Sequence, residues 1–153
     1  VSPRFLPLRD HHYALFGRKS EESRSRYYTE LREMINALIN CPCIAMWVPF
    51  SEGRGQFDSA LVSERIRAMD PTRMIDHASG WHDQGIGEVC SRHVYAKAYR
   101  FRPDRRGRAV ILSEFGGYTL RIDAHASEAK EFGYRRFDTA NSYFFALREL
   151  YHE

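Results

Sequence analysis

An α/β fold built on a parallel sheet is the expectation for this chain, and three observations carry it. Ile44–Phe50 (IAMWVPF) and Ala109–Leu112 (AVIL) are unbroken apolar runs. They have the length and composition of strands buried on both faces, as parallel strands are. Each run stops at a serine and a glutamate, Ser51-Glu52 and Ser113-Glu114, with glycine following to let the backbone turn sharply. Helix-period and strand-like segments then alternate along the chain, as they do where helices carry the crossovers. A carboxylate at the carboxyl end of a buried parallel strand sits where α/β barrels keep their catalytic groups. Two of them point to paired-carboxylate chemistry.

The elements follow in order. Residues 1–19, punctuated by Pro3, Pro7 and Gly17, have no clean period and read as an irregular connecting segment. His11 and His12 are adjacent, so they diverge on any regular element and read as surface or packing residues rather than a ligand pair. Ser20–Ile39 predicts a helix. Ser20 can cap it, Glu21 and Glu22 suit its positive end, and Tyr27, Leu31, Met34, Ile35 and Leu38 make an apolar stripe for the core. Asn40-Cys41-Pro42 stops it, because the residue before proline avoids helical geometry. After the first apolar run, residues 51–57 form a glycine-containing loop. A second helix follows, capped by Asp58 or Ser59, carrying Leu61, Val62, Ile66 and Met69, and ended by Asp70-Pro71. Arg73–Ala78 and Val89–Ala96 read as strands, with a polar and aromatic loop (Ser79-Gly80-Trp81-His82-Asp83) between them. Arg100–Arg108 reads as a solvated charged loop and Ala109–Leu112 as the last strand. The chain is then irregular to about Asp138. A final helix from about Thr139 carries Tyr143, Phe144, Leu147, Leu150 and Tyr151 on one face.

Bulk properties narrow the function. At 153 residues the chain is one domain by length, and its 43% hydrophobic and 14% aromatic content suits a core or a stacking cleft. Twenty-three basic against 20 acidic residues leave a net charge of +3, too balanced to indicate a nucleic-acid partner. Cys41, Cys43 and Cys90 are an odd number without framework spacing, and one residue between Cys41 and Cys43 is neither the redox nor the zinc pattern. No apolar run approaches a membrane span and no signal peptide is visible, so no membrane partner is expected. Cytoplasmic, periplasmic and secreted locations all stay open.

Residues 40–58, NCPCIAMWVPFSEGRGQFD, resemble the acid/base segment of glycoside hydrolase family 2, the β-galactosidase, β-glucuronidase and β-mannosidase group. DPTRMIDHASGWHDQGIG (70–87), SRHVYA (91–96) and LSEFGGY (112–118) resemble the segments that follow, so the likeness covers residues 20–153 from about Tyr27 to Tyr151. It implies part of a (β/α)8 TIM barrel, about strands four to seven with their helices. It also implies hydrolysis of terminal β-glycosidic bonds by double displacement with two glutamates. By resemblance Glu52 is the general acid/base, Glu114 the nucleophile, and Tyr95 the tyrosine beside the nucleophile. Trp81 and His77 fall in a loop bordering the sugar site. Ser51 stands where the family has an asparagine that contacts the substrate near its 2-hydroxyl, and is shorter. Arg54 replaces a tryptophan, and Cys41 and Cys43 replace histidine and serine. Trp47, Trp81 or Tyr118 could stack on a sugar face. No cofactor and no metal are implied. A complete barrel takes about 250 residues. The expectation is therefore a fragment whose first three strands, eighth strand and preceding β-sandwich domains are missing, and which alone turns over little. Its exposed strand edges predict self-association. Two other readings stand beside this one. One is a catalytically inactive carbohydrate-binding or assembly remnant. The other is a metal-dependent hydrolase using His77, His82, Asp83 and His93, no two of which have a recognised ligand spacing.

Overall fold

The computed structural model describes residues 9–53, 55–122, 125 and 132–152. Arg54 and the prolines of residues 1–8 lie outside them. The chain divides into two compact units, residues 1–92 with 103–113, and residues 93–102 with 114–153. Helix α1 (Glu21–Leu38), strand β1 (Met46–Trp47), helix α2 (Ser59–Met69) and strand β2 (Met74–Ile75) come first. Strands β3 (Val89–Tyr95), β4 (Ala109–Gly116), β5 (Tyr118–Leu120) and β6 (Arg135–Phe137) and helix α3 (Ala140–His152) follow. The strands form three two-stranded sheets, β1–β2, β3–β4 and β5–β6. Among the described residues no helix is long and apolar enough to cross a membrane.

In the first unit, Ser20 caps α1 as expected, its hydroxyl accepting from Ser23 N at 3.3 Å. The core gathers Leu31 and Ile35 of α1, Trp47 and Phe50, Phe57, Val62 and Ile66 of α2, and Ile75 and Ala78. Met34 and Leu38 do not join it; both are exposed, because only the 27-31-35 row of α1 faces these partners. Tyr27 stacks on Phe50, centroids 5.2 Å apart. The far end of α1 is closed from another element: the Arg73 guanidinium collects the carbonyls of Ile39, Cys41 and Ile44 at 2.8–3.0 Å. The strand predicted over residues 44–50 is a ladder only at Met46↔Met74 and Trp47↔Ile75, parallel in register. Pro49 has no N–H to give. Pairing resumes beyond it, with Ser79 N on Phe50 O and Glu52 N on Ser79 O, both at 2.8 Å, and a parallel bridge between Ser51 and Ser79. Glu88 N donates to Ile75 O at 3.2 Å and so joins β2 to the start of β3.

The Arg100–Arg108 stretch is not wholly solvated. The Arg108 side chain is 7% exposed and chelates Asp83 at 2.6 and 2.9 Å and Asp104 at 3.0 and 3.1 Å, while reaching the carbonyls of Ile86 and Val89. Burial pushes Asp83 up, but the Arg108 hydrogen bonds and charge outweigh it and hold the carboxyl below its ordinary value.

β3 and β4 begin in the first unit and end in the second. Ala109 N donates to Glu88 O at 3.1 Å where they start, and Ala96 N to Gly116 O at 2.9 Å where they finish, so both run the same way. In the second unit, β4 extends past Leu112 to Gly116. The stretch expected to be irregular holds a parallel pair with Tyr118↔Arg135, Thr119↔Arg136 and Leu120↔Phe137 in register. Thr139 caps α3 through Ser142 N at 3.2 Å. Ala146 is buried, whereas Phe144 and Tyr151, expected on its packed face, are exposed.

Candidate active site

In the first unit, β1 delivers Glu52 to a tight turn at its carboxyl end. Glu52 has φ +54°, a left-handed backbone that a residue with a Cβ adopts at a cost. Gly53 follows at φ +70° and is buried under His82; a Cβ there would lie 2.4 Å from His82 Cδ2, so only glycine fits. Ser79 O receives both Glu52 N at 2.8 Å and Trp81 N at 3.0 Å. Gln56 Nε2 reaches His82 O at 3.2 Å. The loops after β1 and β2 are thereby tied together, and Ser51, Glu52 and Trp81 share that end of the strands. Burial also lowers the His82 pKa.

His77 and Trp47 are placed differently. His77 is 1% exposed; its Nδ1 lies 2.9 Å from Ile86 O and its Nε2 accepts from Gln84 N at 2.9 Å. Its imidazole shapes the 77–86 loop from within, and burial lowers its pKa, which favours the neutral ring that can accept from Gln84. Trp47 is a core side chain, 4% exposed, with Nε1 donating to Asp70 at 2.8 Å.

Asp83, Cys90 and Asp104 bring ligand atoms within 4.8 Å of one another, which could suit a metal ion. The Arg108 guanidinium already bonds both carboxylates, and burial raises the Cys90 thiol to about 11. A cation would have to displace Arg108 and deprotonate that thiol.

In the second unit, β4 presents Glu114 and β3 presents Tyr95, and the Tyr95 hydroxyl donates to Glu114 Oε2. His93 stands two residues before Tyr95, so both side chains point to the same side of β3. Its side chain is fully buried; Nε2 lies 3.6 Å from Glu114 Oε1 and Nδ1 lies 3.4 Å from the Tyr95 hydroxyl. The sequence considered His93 only as a metal ligand, yet its spacing from Tyr95 was the available signal. Tyr134 completes the group by stacking on Tyr95, and no sequence pattern marked it. Chemically, the group is a carboxylate with one oxygen held by a phenol and the other facing an imidazole. A carboxylate held in this way is oriented as a nucleophile needs to be. No family model matches the chain, and no curated protein matches it.

Proposed function

We propose that this chain carries the acid/base and nucleophile segments of a retaining β-glycosidase, on strands four to seven of a (β/α)8 barrel. The observation that carries the reading is the hydrogen bond from Tyr95 to Glu114 at the carboxyl end of β4. Support also comes from the strained Glu52 at the corresponding end of β1, since such outliers cluster at functional sites. The parallel pairing of β1 with β2, followed along the chain by the pairing of β3 with β4, suits the barrel.

In the first half-reaction Glu114 attacks the anomeric carbon as the glycosidic C–O bond breaks. Glu52 gives its proton to the departing oxygen, which leaves as an alcohol. In the second half-reaction Glu52 takes a proton from water, the water oxygen bonds to the anomeric carbon, and the Glu114 ester bond breaks. Both carboxyl groups return to their starting forms. The mechanism requires the two to work about 5–5.5 Å apart. Tyr95 fixes the rotation of the Glu114 carboxylate throughout.

Trapping tests this. The chain is incubated for hours with 2,4-dinitrophenyl 2-deoxy-2-fluoro-β-glycosides of galactose, glucose and mannose, which suits even a slow centre. We expect one fluoroglycosyl unit on Glu114 by peptide mass mapping, and none in Glu114→Gln. Glu52→Ala should still be trapped, because dinitrophenolate leaves without an acid. It should lose roughly 100- to 10,000-fold with poor leaving groups. Sugar binding without labelling would instead favour the inactive carbohydrate-binding remnant.

A further inference from the structure

We propose that Tyr134 is a positioning residue that holds Tyr95 against Glu114, with Gly117 as the notch that lets it do so. The proposal rests on the reading of Glu114 as nucleophile. The Tyr134 and Tyr95 rings are stacked, centroids 4.3 Å apart and planes 8° from parallel. The same Tyr95 gives its hydroxyl to Glu114. A tyrosine ring hinges about two side-chain bonds, so its hydroxyl points reliably only if the ring is held flat. Tyr134 covers one face of it.

The backbone beneath is cut to fit. Tyr134 directly precedes β6 and Gly117 directly precedes β5. Tyr134 N donates to Gly117 O at 2.9 Å and so extends the β5–β6 ladder by one step. Gly117 has φ +65°, and a Cβ there would lie 2.6 Å from Tyr134 Cδ2 and 3.2 Å from Tyr95 Cδ1. Any side chain at 117 would push both rings aside. Thr119 Oγ1 donates to Phe132 O at 2.6 Å and pins the approach to Tyr134. Tyr134 itself is 55% exposed, a large apolar ring kept at the surface while its inner face packs on Tyr95.

Two measurements on the whole chain test the clamp. The first is NMR of ring-labelled tyrosine, with the Tyr95 signals assigned by their loss in Tyr95→Phe. Stacking shifts ring protons upfield. Tyr134→Ala and Gly117→Ala should move the Tyr95 signals downfield, and Tyr134→Phe should leave them near their wild-type positions. The second is the rate at which Glu114 is labelled by the dinitrophenyl fluoroglycoside. Tyr134→Ala should be at least tenfold slower, with the loss in the limiting rate constant and not in the half-saturating concentration. Tyr134→Phe should stay within twofold of wild type. Labelling of Tyr134→Ala at the wild-type rate would overturn the proposal, as would Tyr134→Phe being as slow as Tyr134→Ala. A wild-type chain never labelled by any of the sugars overturns the nucleophile reading and the positioning role with it. The NMR arm then judges the clamp separately, and unmoved Tyr95 signals in Tyr134→Ala would remove that too.

Discussion

Asp76 is 1% exposed; its Oδ2 accepts from the Ser91 hydroxyl at 2.5 Å, while Oδ1 is buried without a hydrogen-bond partner. Burial raises its pKa, and the Ser91 bond and the neighbouring His77 only partly oppose that. A carboxyl whose folded value is raised contributes fully below its unfolded value, near 3.9, and loses that contribution as pH rises through the folded value. Asp76→Asn should therefore stabilise the chain by about 1–2 kcal/mol at pH 7 and by much less at pH 4, read as the difference in Tm. An equal change at both pH values would show that its charge is not the burden. The residue scale is also where the sequence was least legible. The apolar run announced Trp47 but not its bond to Asp70, and nothing in a cluster of arginines singled out Arg108. Such contacts join residues tens of positions apart, and no local period encodes them.

The helices were foreseen because capping and apolar spacing are local properties, and α1 and α2 lie close to their expected bounds. What replaced the expected cap of α2 was not foreseen. Asp58 sits at the N-cap with φ +42° and makes no capping bond, its carboxylate being taken by the Tyr13 hydroxyl at 2.7 Å. Asp10, 49 residues upstream, accepts from Ser59 N at 2.9 Å and from Ser59 Oγ at 2.5 Å. The connecting segment thus supplies the missing acceptor. Asp10→Ala should cost about 1 kcal/mol and speed hydrogen exchange at the Ser59 amide, whereas Asp58→Ala should leave that amide unchanged. The first four strands were legible in existence and order, but not in length, and β5 and β6 were not read at all. Pro49 interrupts the first, and the short β5–β6 pair carries too few residues to show a period.

At the scale of the molecule, acid sensitivity has a definite sign. Thr72 and Arg73 hold the Asp70 carboxyl well below the usual carboxylate range, and Arg108 does the same for Asp104 and, against its burial, for Asp83. A depressed carboxyl contributes above its unfolded value and loses that contribution as pH falls through the folded one. The chain should keep its fold to about pH 4 and lose stability progressively below it, followed by far-ultraviolet circular dichroism. Arg108→Gln leaves Asp83 and Asp104 without their cation. It should destabilise the fold at neutral pH and flatten the acid limb, because those carboxylates would be less depressed, keeping only the backbone hydrogen bonds from Gly85, Arg106 and residue 108.

The division of the chain into 1–92 with 103–113, and 93–102 with 114–153, passes through the middle of both β3 and β4. Neither unit is one contiguous segment of the chain. A break after residue 92 or residue 113 severs a strand, and during synthesis the first unit cannot finish until Ser113 has left the ribosome. By then residues 93–102, which belong to the other unit, have already emerged between the two segments of the first.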